Sequence, residues 1–323
     1  MSIRLAASPI LAGLLASTAA LAEVPSVATD IPPVHSLVAR VMGDLGDPGL
    51  IVQPGSSPHG YSMRPSEARS VQDAEAIFWI GPELTPWMDE ALKTLAPEAE
   101  VIELLEVDGT QALEFREGAT FADHDHADHE DDHDAEEAGG EDAHEGEEDH
   151  GHEGIDPHAW LDPENGKVWL DSIATTLGEL DPENAATYEA NAESGKVEID
   201  AAAAQARELL APLSDLQFVV FHDAYHYYES RFDLSAAGAI ELSDATDPSP
   251  ARIEDVRDTV RELGVSCVFS EPQFNQSLIG TVTEGTEARR GIIDPLGTEI
   301  ALGVDFYPEL IVKIAEEIAS CAE

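Results

Sequence analysis

The chain of 323 residues carries twelve histidines, and they fall into groups of different chemistry. Seven of them, His124, His126, His129, His133, His144, His150 and His152, lie between residues 117 and 153 beside seventeen Asp or Glu, with no Lys or Arg. Imidazoles interleaved with carboxylates are ligands for divalent metals of the zinc, copper or nickel kind. A stretch so charged, with Phe121 as its one aromatic residue, buries too little apolar surface to offset its ordering entropy. It is expected as a mobile acidic loop that contacts metal weakly.

A tight site needs donors held by rigid elements, so the elements come next. Apolar periodicity and turn formers predict alternating strands and helices in both halves of the chain. Strands are expected over 50–52, 76–80 and 101–105, and again over 217–221, 237–241, 265–269 and 291–293. Helices are expected between them over 35–45, 66–73, 87–95, 164–180, 223–231, 251–263, 278–289 and 308–319. Asp181-Pro182 breaks one helix and opens another that runs to about Leu210 and is rich in Ala, long enough for a rigid connector. The fold class is therefore α/β: two doubly wound (β/α) domains joined by one long helix. The expected boundaries are a signal peptide over 1–22, an N-terminal domain over 23–182 that contains the acidic loop (about 117–154), a linking helix over 183–213 and a C-terminal domain over 214–323.

In open α/β sheets, ligands bind beyond the carboxyl ends of the strands. Outside the acidic loop, four donors fall at such places: His59 past the strand at 50–52, His158 before a helix, His222 directly after Phe221, and Asp294 directly after Ile293. A lone histidine at a loop edge is more often solvated, and Asp294 before Pro295 is also a good turn starter. Together they form a constellation, since three neutral imidazoles with one oxygen donor make a tetrahedral zinc site in a cleft between the domains.

Composition narrows the function further. The formal charge of −50 repels nucleic acid and anionic membrane surfaces and attracts cations; without the seventeen acids of the loop it is still −33. Arg4, an apolar run over 5–21 broken by Pro9 and Gly13, and the small-x-small Ala20-Leu21-Ala22 read as a cleaved export signal. No Cys stands at the cleavage point, so no lipid anchor is expected. In an oxidising compartment the two cysteines, Cys267 and Cys321, are expected to pair and tie down the last helix.

Several stretches carry a family resemblance: Ser57-Pro58-His59-Gly60-Tyr61, Asp156-Pro157-His158-Ala159-Trp160, Phe221-His222-Asp223-Ala224-Tyr225, Ser270-Glu271-Pro272-Gln273-Phe274 and Asp294-Pro295-Leu296-Gly297. They resemble the zinc-binding subgroup of periplasmic metal-binding proteins that feed ABC transporters, the ZnuA type. The resemblance implies a monomeric binding protein, not an enzyme, that captures Zn²⁺ at the domain interface through His59, His158 and His222 and delivers it to a membrane permease. It implies a His-rich acidic loop in the same place. Manganese-binding relatives typically carry Glu at the position of His222, so imidazole there favours zinc. Proteins of the zinc type often have Glu before the first ligand, where this chain has Pro58, which leaves Asp294 or a water as the fourth donor.

Two rivals remain at this level. A manganese or iron binder of the same family differs only in metal preference. A zinc hydrolase would need an open coordination position beside a general base. His222 and His226 are spaced like the histidines of a zinc-protease helix, but Phe221 ends a strand and Asp223 is a methylene too short for the Glu of that motif.

Overall fold

The computed structural model describes residues 24–116, 121, 154–241, 249–274 and 277–322. The export signal and the seven histidines of the acidic loop lie outside them. Two parallel four-stranded sheets form the frame. The first contains β1 (Val27–Thr29), β2 (Gly49–Leu50), β3 (Ala76–Trp79) and β4 (Glu100–Glu103) in the order β2-β1-β3-β4. The second contains β5 (Phe218–His222), β6 (Gly238–Glu241), β7 (Cys267–Ser270) and β8 (Arg289–Ile292) in the order β6-β5-β7-β8. Strands β3 and β5 are buried along their whole length, which is why they read as unbroken apolar runs. In each sheet the chain winds one way from the first strand and then the other, so crevices open between β1 and β3 and between β5 and β7.

Nine helices cover the sheets among the described residues: α1 (Pro32–Met42), α2 (Pro65–Asp73), α3 (Pro86–Leu95), α4 (Pro163–Leu180), α5 (Ala185–Leu210), α6 (His226–Phe232), α7 (Pro250–Glu262), α8 (Ser277–Val282) and α9 (Phe306–Ala322). Pro32, Pro65, Pro86, Pro163 and Pro250 each open a helix, where the missing N–H costs nothing and the fixed φ is already helical. The long α5 buries Tyr188, Ala192, Gly195, Ile199, Ala203, Ala206 and Leu210, a stripe at three- and four-residue spacing. It packs on α1 and α4 of the first half and on α9 of the second. Its Gly195 is a close-approach position: a Cβ there would stand 2.9 Å from Leu170 and 3.0 Å from Arg40. One apolar cluster runs from Val27 and Phe78 through Trp160 and Tyr188 to Phe218 and Ile314, so the two sheets share a continuous core. The Cys267–Cys321 disulfide ties β7 to α9.

Two expectations need correction. Strand β1 was not anticipated, although it pairs with both β2 and β3 at the centre of its sheet. The helix expected over 278–289 ends at Val282, because Gly285 adopts φ +74° and residues 283–288 turn back toward β8. No helix among the described residues is long and apolar enough to cross a membrane.

Candidate metal centre

His222 is the last residue of β5, at the crevice between β5 and β7, and Glu271 follows the end of β7 directly. The Glu271 carboxylate reaches across this crevice, and its Oε1 stands 2.8 Å from His222 Nδ1. His158 arrives from the other half, on the turn before α4. Its neighbour Asp156 folds back so that Oδ1 accepts from both the His158 backbone N–H (3.0 Å) and ring Nδ1 (2.7 Å). An ionised carboxylate can only accept, so once Asp156 and Glu271 are ionised each Nδ1 carries the proton and each Nε2 is the donor atom available to a cation. Those two Nε2 atoms lie 3.3 Å apart.

Aromatic walls fix both rings. Trp160 lies 5.2 Å from the His158 ring and donates from Nε1 to Pro295 O at 2.8 Å, which spans the two halves. Phe274 lies 5.2 Å from the His222 ring and stacks on Phe221 at 4.9 Å. His59 sits on the loop after β2. That loop is held where Trp87 Nε1 donates to Pro58 O at 2.7 Å, and Tyr61 bonds Glu67 at 2.9 Å. The His59 ring lies 5.7 Å from His158, and the His158 and His222 rings are 5.2 Å apart. The three line one cleft with Trp160, Glu271 and Phe274. Among the described residues no three His, Cys, Asp or Glu side chains as they stand form a set that could hold a metal ion. The geometry is thus a preset imidazole pair with a third imidazole beside it.

Burial shapes the charges. It pushes the Asp156 carboxyl up to about 7, against the opposing pull of the His158 backbone N–H. Burial also raises Glu271, and the neighbouring His222 works against that rise. Both carboxylates are therefore costly to ionise until a cation enters beyond the imidazoles they hold.

Asp294 is not among the residues lining the cleft. Its Oδ1 accepts from Gln273 Nε2 (2.8 Å) and Leu296 N (3.0 Å), and its Oδ2 from Thr298 N (2.6 Å). The expected oxygen donor is occupied as the anchor of a turn. His226 opens α6 away from the cleft, with Nδ1 4.0 Å from Asp156 Oδ2. Sequence reasoning gave Asp156 no role of its own. The only available signal was a carboxylate two residues before a candidate ligand histidine.

Two parallel-sheet domains that share a core and bring histidines from both halves to one cleft define a class, the metal-binding solute-binding proteins. A crystal structure of ZnuA matches the fold with a TM-score of 0.71 at 24% identity, covering 91% of this chain and 97% of that one. The solute-binding protein FpvC of Pseudomonas aeruginosa, solved in complex with Mn²⁺, matches with a TM-score of 0.72 at 20% identity over 91% of this chain and 97% of that one. At such identities the likeness is one of fold. Sequence goes further. Residues 27–321 match the family described as zinc-uptake complex component A, periplasmic. The high-affinity zinc uptake system protein ZnuA of Brucella abortus (strain 2308) is 45% identical over 98% of this chain and 96% of its own length. The protein of the same name from Paracoccus denitrificans is 44% identical over 97% of each. The chain belongs to this family of periplasmic zinc-uptake components.

Proposed function

We propose that this chain captures Zn²⁺ in the periplasm with His59, His158 and His222, completes the shell with a water, and hands the ion to the permease of an ABC transporter. One observation carries the reading: two buried imidazoles from different halves bring their Nε2 atoms to 3.3 Å while a carboxyl group stands at hydrogen-bond distance from each Nδ1. With both carboxylates ionised the two Nε2 atoms face each other as donors to metal, an arrangement that a cation between them stabilises. Tetrahedral zinc with bonds of about 2.0–2.1 Å sets its nitrogen ligands about 3.3–3.4 Å apart and the ring centres about 5.2 Å apart. His158 and His222 already have that spacing, and His59 closes roughly half an ångström on its loop. With Asp294 engaged in its turn, water takes the fourth position.

Imidazole at His222 favours zinc over manganese or iron. The hydrolase reading lacks a base among the described residues, because the one acid of theirs that lines the cleft, Glu271, is bound to His222. Residues 1–22 serve as the export signal, and the mature protein acts as a monomer without a membrane anchor. Isothermal titration of zinc into the wild type and into a His59→Ala, His158→Ala, His222→Ala variant tests the ligand set. The variant is expected to lose the tight site; tight zinc binding that survives all three substitutions refutes it.

A further inference from the structure

His158 and His222 belong to different halves of the molecule, so something must set the distance between them. His158 is carried by a short antiparallel ribbon: Asp156 N donates to Leu113 O (2.8 Å), Phe115 N donates to Gly154 O (3.2 Å), and Glu114 bridges Ile155. His222 is followed by a turn into α6. The ribbon is fastened to α6 by Tyr227, whose hydroxyl accepts from Leu113 N (2.8 Å) and donates to Asp156 O (2.8 Å). It is also fastened by Arg116.

The Arg116 side chain is 16% exposed and lies between two carboxylates that are almost fully buried. Its Nε donates to both Asp223 oxygens at 3.1 Å, and its terminal nitrogens reach Glu229 at 2.8 and 2.9 Å and Asp223 again. Phe121 covers the guanidinium at 3.9 Å, and its own N–H is tied to Ala237 O at 3.0 Å. Asp223 directly follows His222, and Arg116 extends from the strand of the ribbon that pairs with the residues leading to His158. The guanidinium is thus a crossbar between the supports of the two rings.

We propose that Arg116 is a specificity-determining positioning residue: by clasping Asp223 and Glu229 it fixes the His158–His222 spacing at the value suited to Zn²⁺ and so disfavours larger divalent ions. The inference rests on the ligand set given above. Without Arg116, Asp223 and Glu229 become two buried carboxylates with no cation between them, and their repulsion loosens the α6 turn from the ribbon. A loosened pair of imidazoles accommodates the longer bonds of Cd²⁺ with less strain, while zinc loses its preset geometry.

The test compares zinc and cadmium affinities, by competition with a chromogenic chelator, for the wild type, Arg116→Gln and His158→Ala, alongside the melting temperature of each metal-free protein. Substitution of residues that orient metal ligands costs roughly 10- to 100-fold in affinity. Arg116→Gln is therefore expected to weaken zinc about tenfold and cadmium much less, so the preference for zinc falls by nearly the same factor. A merely structural role lowers the melting temperature and leaves the ratio unchanged, and an unchanged ratio overturns the proposal. If Arg116→Gln does not fold, the neutral triple variant Arg116→Met, Asp223→Asn, Glu229→Gln leaves no buried charge unpaired and is read in its place. Tight zinc binding that persists in His158→Ala instead identifies the ligand set as the part that failed.

Discussion

Replacing Asp156 by Asn should separate what this carboxylate does for the metal from what it does to the fold. The substitution is nearly isosteric and keeps Oδ1, which accepts from the His158 backbone and ring. What it removes is the charge. Burial raises the Asp156 carboxyl from 3.8 to about 7, so holding it ionised in the metal-free protein above pH 7 costs about 4 kcal/mol relative to the unfolded chain. The sign follows from proton counts. The folded state keeps the proton more tightly than the unfolded state, so the penalty is absent below pH 4, grows as pH rises toward 7, and is constant above that. Asn carries no such penalty. The metal-free variant is therefore expected to be more stable than the wild type by up to about 4 kcal/mol at pH 8, and by only about 1.5 kcal/mol at pH 5. Zinc binding should move the other way. A charge-assisted bond to the ligand ring becomes a neutral one, roughly halving its strength, and zinc affinity at pH 8 should fall about tenfold. In the wild type the same linkage makes affinity fall as pH drops through about 7, where Asp156 takes up its proton. Urea unfolding of both metal-free proteins at the two pH values, with competition titration of zinc at pH 8, measures all three effects. Equal loss of stability at both pH values, or unchanged zinc affinity, refutes the reasoning.

The Cys267–Cys321 bond closes a loop of 54 residues and joins β7 to α9. Cys267→Ser with Cys321→Ser is expected to lower stability by about 4 kcal/mol in urea unfolding, and a loss below about 1 kcal/mol would show that α9 holds itself in place. The shared core and the packing of α5 on both halves resist wide hinge motion, so release should proceed by a local shift of the loop that carries His59. Crystal structures with and without zinc should superpose on both sheets at once; a rotation between the sheets on the order of 15° would overturn this.

The alternation of apolar runs and amphipathic stretches was legible because a buried parallel strand needs apolar residues on both faces, as in Phe218–His222. Strand β1 was not. It has only three residues, Val27–Thr29, and its place is set by pairing with β2 and β3, which no local pattern encodes. The extra length assigned to the helix at 278–289 came from following apolar spacing past Gly285, whose left-handed backbone ends it. At the site, residue type and position at strand ends brought out the three histidines. The groups that orient them were harder to find. Asp156 acts through a fold-back within two residues, Glu271 reaches His222 from a different strand end, and Arg116 meets Asp223 across 107 positions of sequence. Asp294 holds a turn, since a carboxylate at a strand end serves a turn as well as it serves a metal.

On the proposed ligand set the two histidine groups would act over different distances. The stretch at 117–153 carries a formal charge of −17 with its histidines neutral, and in sequence it lies between Arg116 and Gly154, the two ends of the ribbon that supports His158. A charge of that sign attracts divalent cations, but salt screens such attraction beyond about 8 Å and it acts on every divalent ion alike. Charge therefore raises the number of encounters without choosing among ions. Choice requires donors whose spacing cannot relax, away from water, and that condition is met at the His158–His222 pair, where each ring is fixed by a buried carboxylate and an aromatic wall. On that reading a histidine-rich sequence points to the kind of metal, and selection falls to the few imidazoles that the fold holds still.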